Sequence, residues 1–136
     1  PTVSLRLAWS ATYLSLAETT GGPERFAHLA EAGRHCRKIL RIARRYYHGA
    51  FPDAMRYKGT YEWLKGRRSA ARKWWIRGLK LADELGMPFN AASLHLEMGK
   101  RLNDHEHLKQ AEAIFADIGA EWDLAETRRF LEGVQM

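Results

Sequence analysis

Apolar residues along this chain recur mainly at steps of three and four, the interval that lines one side of an α-helix. The first such run, residues 3 to 19, places Leu5, Ala8, Trp9, Thr12 and Leu16 on an expected inward face and closes at Thr19-Thr20-Gly21-Gly22. A second helix is expected over residues 24 to 48, with Phe26, Leu29, Ala30, Gly33, Cys36, Leu40, Ala43 and Tyr47 inward. After a break at Gly49 to Pro52, residues 53 to 65 form a third helix carrying Tyr57, Tyr61 and Leu64, closed by Gly66. Residues 68 to 85 form a fourth with Ala71, Trp75, Leu79, Ala82 and Leu85 inward, and Gly86 ends it. Pro88 opens a fifth that runs to about Leu102, and Asn103-Asp104 cap a sixth, residues 105 to 118, with Leu108, Ala111, Phe115 and Ile118 inward. Gly119 separates it from a seventh, from about Trp122 to Gly133.

Pro23, Pro52 and Pro88 all fall where a helix restarts, the position that tolerates a missing amide hydrogen. No sustained two-residue alternation signals a strand. The expected fold class is therefore all-α, about seven helices joined by short breaks into antiparallel hairpins. Shifted by forty residues, the chain superposes Gly59 on Gly99, Ala71 on Ala111 and Trp75 on Phe115, which suggests that one hairpin unit is repeated. Small residues let paired helices approach and a ring fills the adjoining gap.

With 136 residues, 46% of them hydrophobic and 28% charged, the chain has the composition of one folded domain spanning residues 1 to 136. It opens on Pro1 and enters helix-forming residues at once, as expected of a segment of a larger protein. The single cysteine, Cys36, allows no internal disulfide, which makes the reducing cytoplasm the expected location. No membrane-spanning run or secretion signal is present in this sequence, so no membrane partner is expected.

Charge changes the picture more than composition does. Residues 34 to 80 hold 15 Lys and Arg against Asp53 and Glu62, a net +13, and the remainder holds 7 against 14, a net −7. Such a division suits an acidic partner domain, an acidic ligand or nucleic acid, and does not choose among them. On the second helix Arg34, Arg37, Lys38, Arg41, Arg44 and Arg45 form one broad basic face. On the fourth, Arg68, Arg72 and Lys73 flank Trp74 and Trp75, a mixture that can contact phosphates and stack on bases. Trp75 shares a stripe with Ala71, Leu79 and Ala82 and reads as core.

Other chemistry finds little support. His95, His105 and His107 with Glu97 lack helical metal-ligand spacing: His95 reads as a residue near a hairpin interface, the other two as solvated histidines near a cap. Neighbouring His35 and Cys36 diverge by about 100° on a helix and cannot act as base and nucleophile, so the thiol reads as buried and structural. Gly21-Gly22-Pro23 lacks the lysine and hydroxyl of a phosphate loop, and Glu97, Asp104, Asp117, Glu121 and Asp123 read as caps and solvated carboxylates. No catalytic residue, metal or cofactor is expected.

Four segments carry a resemblance: Gly59 to Arg67 (GTYEWLKGR), Ala82 to Pro88 (ADELGMP), Ala92 to Arg101 (ASLHLEMGKR) and Leu108 to Ala125 (LKQAEAIFADIGAEWDLA). Residues 59 to 131 resemble the tetratricopeptide-like arrays at the C-terminal end of bacterial signalling ATPases, both adenylate cyclase-like proteins and maltose-activator-type regulators. Ile118, Gly119, Ala120, Asp123, Leu124 and Ala125 stand where that family has its last turn and closing helix. The resemblance implies hairpins stacked as a right-handed solenoid, without catalysis of its own, that holds a protein partner or restrains a neighbouring domain. On that reading Tyr57, Tyr61, Trp63, Arg67, Arg68 and Trp74 are the expected contact residues, joined by Arg37, Arg41 and Arg44 on the second helix. The alternative reading is a basic nucleic-acid-binding helical module.

Overall fold

The computed structural model describes residues 2–46 and 48–135, with only the backbone described at Tyr46, His48, Val134 and Gln135. Seven α-helices follow one another among the described residues: α1 Val3–Thr19, α2 Gly22–Tyr46, α3 Phe51–Leu64, α4 Arg68–Glu84, α5 Pro88–Leu102, α6 His105–Ile118 and α7 Glu121–Gln135. One turn of 3-10 helix, His48–Ala50, precedes α3, and no described residue lies in a strand. The chain is all-α, as the periodicity predicts.

Helix ends follow from local chemistry. Thr2 caps α1 by accepting a hydrogen bond from the Leu5 amide, and Asp104 caps α6 by accepting from the amides of Glu106 and His107. At the end of α3 the Gly66 amide donates to Trp63 O and the Arg67 amide to Glu62 O, a paired closure that needs Gly66 at φ 83°. The same two bonds close α4 at Gly86 and α6 at Gly119. Asn103 takes the left-handed conformation after α5, which an asparagine tolerates better than most residues.

The chain divides into two compact units, residues 1–78 and 79–136, with the boundary inside α4. In the first unit α1 and α2 run antiparallel: Arg6 meets His35 near one end, and near the other Arg25 donates to Ala17 O at 2.7 Å. A second Arg25 bond, 3.2 Å to Leu64 O, ties this hairpin to the end of α3. Leu14, Ala17, Leu29, Ala32 and Tyr61 form a buried cluster, with Tyr13, Tyr57 and Leu64 packed against it. Trp75 lies over the backbone of α3 at Gly59, donating its indole hydrogen to Arg56 O at 3.1 Å.

The inward face expected for α1 is wrong. Leu5 and Trp9 remain 42% and 37% exposed and Leu16 is exposed too, while Arg6, Ser10, Leu14 and Ala17 are buried. Only Arg6 is charged between Val3 and Ala17, so apolar residues surround the helix and their spacing selects no side. The small Ser10 and Ala17 and the His35 partner for Arg6 select it instead. On α2, Phe26 is 69% exposed and Ala30 is also outside; Leu29, Gly33, Cys36 and Ala43 are buried as expected, joined by Ala32, His35 and Ile39. Tyr47, expected inward, lies outside the described residues. Leu85, just past α4, and Ile118, the last residue of α6, are exposed where burial was expected.

In the second unit α5 and α6 are antiparallel, with Phe89 edge-on to Phe115 at 5.6 Å between centroids. Ala92, Ala111 and Phe115 form a buried cluster there, with Leu96, Ile114, Ala120 and Leu124 against them. Helix α7 returns along α6, where Arg128 Nε donates to Glu112 Oε2 at 3.1 Å. The forty-residue superposition is not the structural register. Helix starts recur at 37 residues (Phe51 to Pro88 and Arg68 to His105), and helix ends at 38 (Leu64 to Leu102) and 34 (Glu84 to Ile118). Gly59 faces the Trp75 ring, whereas Gly99 faces Leu108 rather than Phe115.

A Cβ at position 59 would collide with Cδ1 and Nε1 of the buried Trp75 indole. Gly59→Ala is therefore expected to destabilise by about 1–3 kcal/mol in urea unfolding, despite a gain of about 1 kcal/mol in helix propensity. The orientation of α1 gives a second test: Leu14→Ala should cost about 2–5 kcal/mol, and Leu16→Ala less than about 1 kcal/mol. Equal costs would contradict the observed face.

Candidate functional site

Side chains able to do chemistry fall into three groups, two at hairpin seams and one on the surface of the first unit. The first is the α1–α2 seam. Arg6, 9% exposed, donates from Nη1 to His35 Nδ1 at 3.3 Å, which requires that nitrogen to be unprotonated. His35 lies near Trp9, with ring centroids 5.0 Å apart, and stacks on Tyr13 with centroids 5.8 Å apart. Burial, aided by the charges of Arg34 and Arg6, holds the imidazole below its usual range. Cys36 faces elsewhere: its thiol is 3.9 Å from Ser10 Oγ, and burial pushes it up to about 11. It is a packed thiol with negligible thiolate at neutral pH.

The second group lies between α5 and α6. Nδ1 of His95 and Nδ1 of His107 are 2.9 Å apart, so one donates and the other accepts. Burial, then the neighbouring His107, lowers the His95 pKa, against a smaller opposing influence from Asp83. His95 is at the hairpin interface as expected; His107, expected to be solvated, is half-buried and partnered with it across the seam. Spacing within one helix cannot reveal a pair formed between two. Among the described residues no three His, Cys, Asp or Glu side chains assemble into a metal-binding group.

Glu97 also departs from the solvated reading: it is buried, with Lys100 and Arg101 each 3.2 Å from its carboxylate. Asp104 is the cap that the sequence predicts. Glu62, buried on α3, is held in the same manner by Lys58 at 3.2 Å and Arg67 at 3.4 Å.

The third group is the basic surface of the first unit. Residues 1–78 carry 16 Lys and Arg against 5 Asp and Glu, a net +11, leaving 6 against 11, a net −5, for residues 79–136. Of the expected contact residues, Tyr61 belongs to the core, its ring packed against Gly33, where a Cβ would come within 2.7 Å of it. Tyr57 and Trp63 are half-buried, with the guanidinium of Arg56 4.6 Å from the Tyr57 centroid and that of Arg68 4.4 Å from the Trp63 centroid. Trp74 is half-buried under Arg77 at 4.8 Å, and Arg67 and Arg68 are exposed. Arg37, Arg41 and Arg44 are exposed on α2, and Arg41 and Arg44 join Arg45 in lining an open groove of about 430 Å³.

Comparison with protein-family models, curated proteins and solved structures gave no significant match. The resemblance of residues 59 to 131 to signalling-ATPase arrays rests on those residues alone. Among the described residues no helix is long and apolar enough to cross a membrane.

His35 and His95 both hold depressed pKa values, so the unfolded chain takes up protons first as pH falls. The stability they confer is complete above the ordinary histidine value of 6.5 and is lost as pH falls through the lower folded values. The urea midpoint is expected to drop between pH 7.5 and pH 5, and His95→Gln should remove part of that drop. A midpoint independent of pH in both proteins would refute this account.

Proposed function

We propose that this chain is a non-catalytic protein-interaction and regulatory module of a larger bacterial signalling protein of the ATPase, cyclase or transcription-regulator type, working in the cytoplasm. The observation that carries the reading is the net positive charge of the first unit, 16 Lys and Arg against 5 Asp and Glu, built on hairpins whose interiors are fixed by close packing. A surface that departs from the balanced charge of a solvated helix is suited to steering and holding an oppositely charged partner. The likeness to signalling-ATPase arrays supplies the class of parent protein. The expected contact residues that remain on or near the surface are Arg37, Arg41, Arg44, Tyr57, Trp63, Arg67, Arg68 and Trp74.

Nucleic acid is the competing occupant, since the same charge attracts phosphates. It gains less from the aromatic residues. Trp63 and Trp74 each have a guanidinium against the ring already, which competes with a stacking base for those surfaces.

A photo-crosslinking amino acid placed at position 68 or 74 of the full chain is expected to give protein adducts in extracts of its own cells at physiological salt. Nuclease treatment should leave those adducts unchanged. Adducts that contain nucleic acid, disappear with nuclease and fall steeply with salt would replace this reading with the nucleic-acid one.

A further inference from the structure

Helix α2 presents its two sides very differently. Leu29, Ala32, Cys36, Ile39 and Ala43 are buried, and Arg37, Lys38, Arg41, Arg44 and Arg45 stand exposed on the opposite side. Among the described residues, no ion pair joins any of these five cations to a carboxylate. Arg34, just before them, does have one, with Glu31 Oε2 at 2.6 Å. The contrast with Glu62 and Glu97, each held by two cations, shows that this chain compensates charge elsewhere.

Four of the five are arginines, whose planar fork matches a carboxylate bidentately. From Arg37 to Arg45 the face runs about 12 Å, a little over two helical turns, with successive side chains about 5–6 Å apart. A partner helix with Asp or Glu every three or four residues repeats its charges at the same interval. Arg41, Arg44 and Arg45 border an open depression at one end of this face.

We propose that the Arg37–Arg45 face of α2 docks an acidic helical segment of a protein, its carboxylates seated on Arg37, Arg41, Arg44 and Arg45. This rests on the protein-interaction reading and names the chemistry of the partner. An arginine fork pairs with carboxylate and phosphate alike, so the choice of a peptide over nucleic acid rests on the protein-interaction reading, and the test separates the two.

The test uses the full chain and two fluorescent probes at physiological salt, measured by anisotropy: a 15-residue helical peptide with Glu at three- and four-residue intervals, and a single-stranded oligothymidine. The peptide is expected to bind more tightly than the oligonucleotide. The triple reversal Arg37→Glu, Arg41→Glu and Arg44→Glu should weaken peptide binding by about tenfold or more. The equal charge change Arg72→Glu, Lys73→Glu and Lys80→Glu on α4 should weaken it by less than about threefold. Circular dichroism confirms that both variants keep their helices, and a variant that unfolds is replaced by the single Arg41→Glu change, read against Lys73→Glu.

Equal losses from the two triple variants would reduce the effect to bulk charge and overturn the α2 seat. Tighter oligonucleotide binding, lost with the α2 reversal, would overturn the acidic-peptide occupant. Failure of the peptide to bind, while crosslinking at position 68 or 74 still yields protein adducts, would overturn this inference and leave the protein-interaction reading standing.

Discussion

An indole can lie against a helix backbone only where no Cβ intervenes, and Gly59 provides that opening for Trp75. The ring is sealed from solvent, and its one polar atom is satisfied by Arg56 O, so contact and hydrogen bond fix the same geometry. Gly33 does the same for the Tyr61 ring and Gly99 for Leu108. Such approaches are costly to disturb because interiors are packed near crystal density. Within the first unit the Gly33–Tyr61 contact also sets the rotation of α2 about its own axis. With Gly33 and Cys36 turned inward, Arg37, Arg41 and Arg44 have only the outside to occupy.

Polar groups then finish what packing begins. Each hairpin described in detail carries a polar pair across its seam: Arg6 with His35 between α1 and α2, His95 with His107 between α5 and α6. A buried guanidinium without a carboxylate is tolerated only if neutral acceptors replace water, and even here Arg6 Nε lacks a hydrogen-bond partner. The seam is consequently sensitive to protonation, because a charged His35 would remove the acceptor and add a like charge.

Helix boundaries were legible because they depend on local chemistry. Gly66, Gly86 and Gly119 terminate helices by positive φ, and Pro88 and Asp104 start them, all from residues within one turn. Facing was legible only where polar residues marked the outside. It succeeded on α6, with Leu108, Ala111 and Phe115 buried, and failed on α1, where apolar residues run round the helix and Leu14 rather than Leu5 is buried. The His95–His107 pair, the burial of Glu97 and the packing of Tyr61 on Gly33 depend on which helices meet, information that periodicity does not hold. The basic face of α2 was legible in full, since exposure and charge follow from the same helical interval.

That face also separates local from non-local causes. Arg44 and Arg45 sit in the last turn of α2, where the helix dipole rewards a cation by about 0.3–1 kcal/mol. Arg37, Lys38 and Arg41 lie further in, beyond the reach of that effect, and receive no ion pair among the described residues. Counting Arg34, six like-charged pairs stand three or four residues apart on this face, costing together about 1–3 kcal/mol. Against a domain stability of about 5–15 kcal/mol that is a sizeable loss. Helix propensity does not explain it, because glutamate or glutamine at positions 37 and 41 would serve the helix about as well. The mid-helix cations are thus the part of this surface that helix propensity and the helix dipole leave unexplained, and an external counter-charge is the explanation proposed for them.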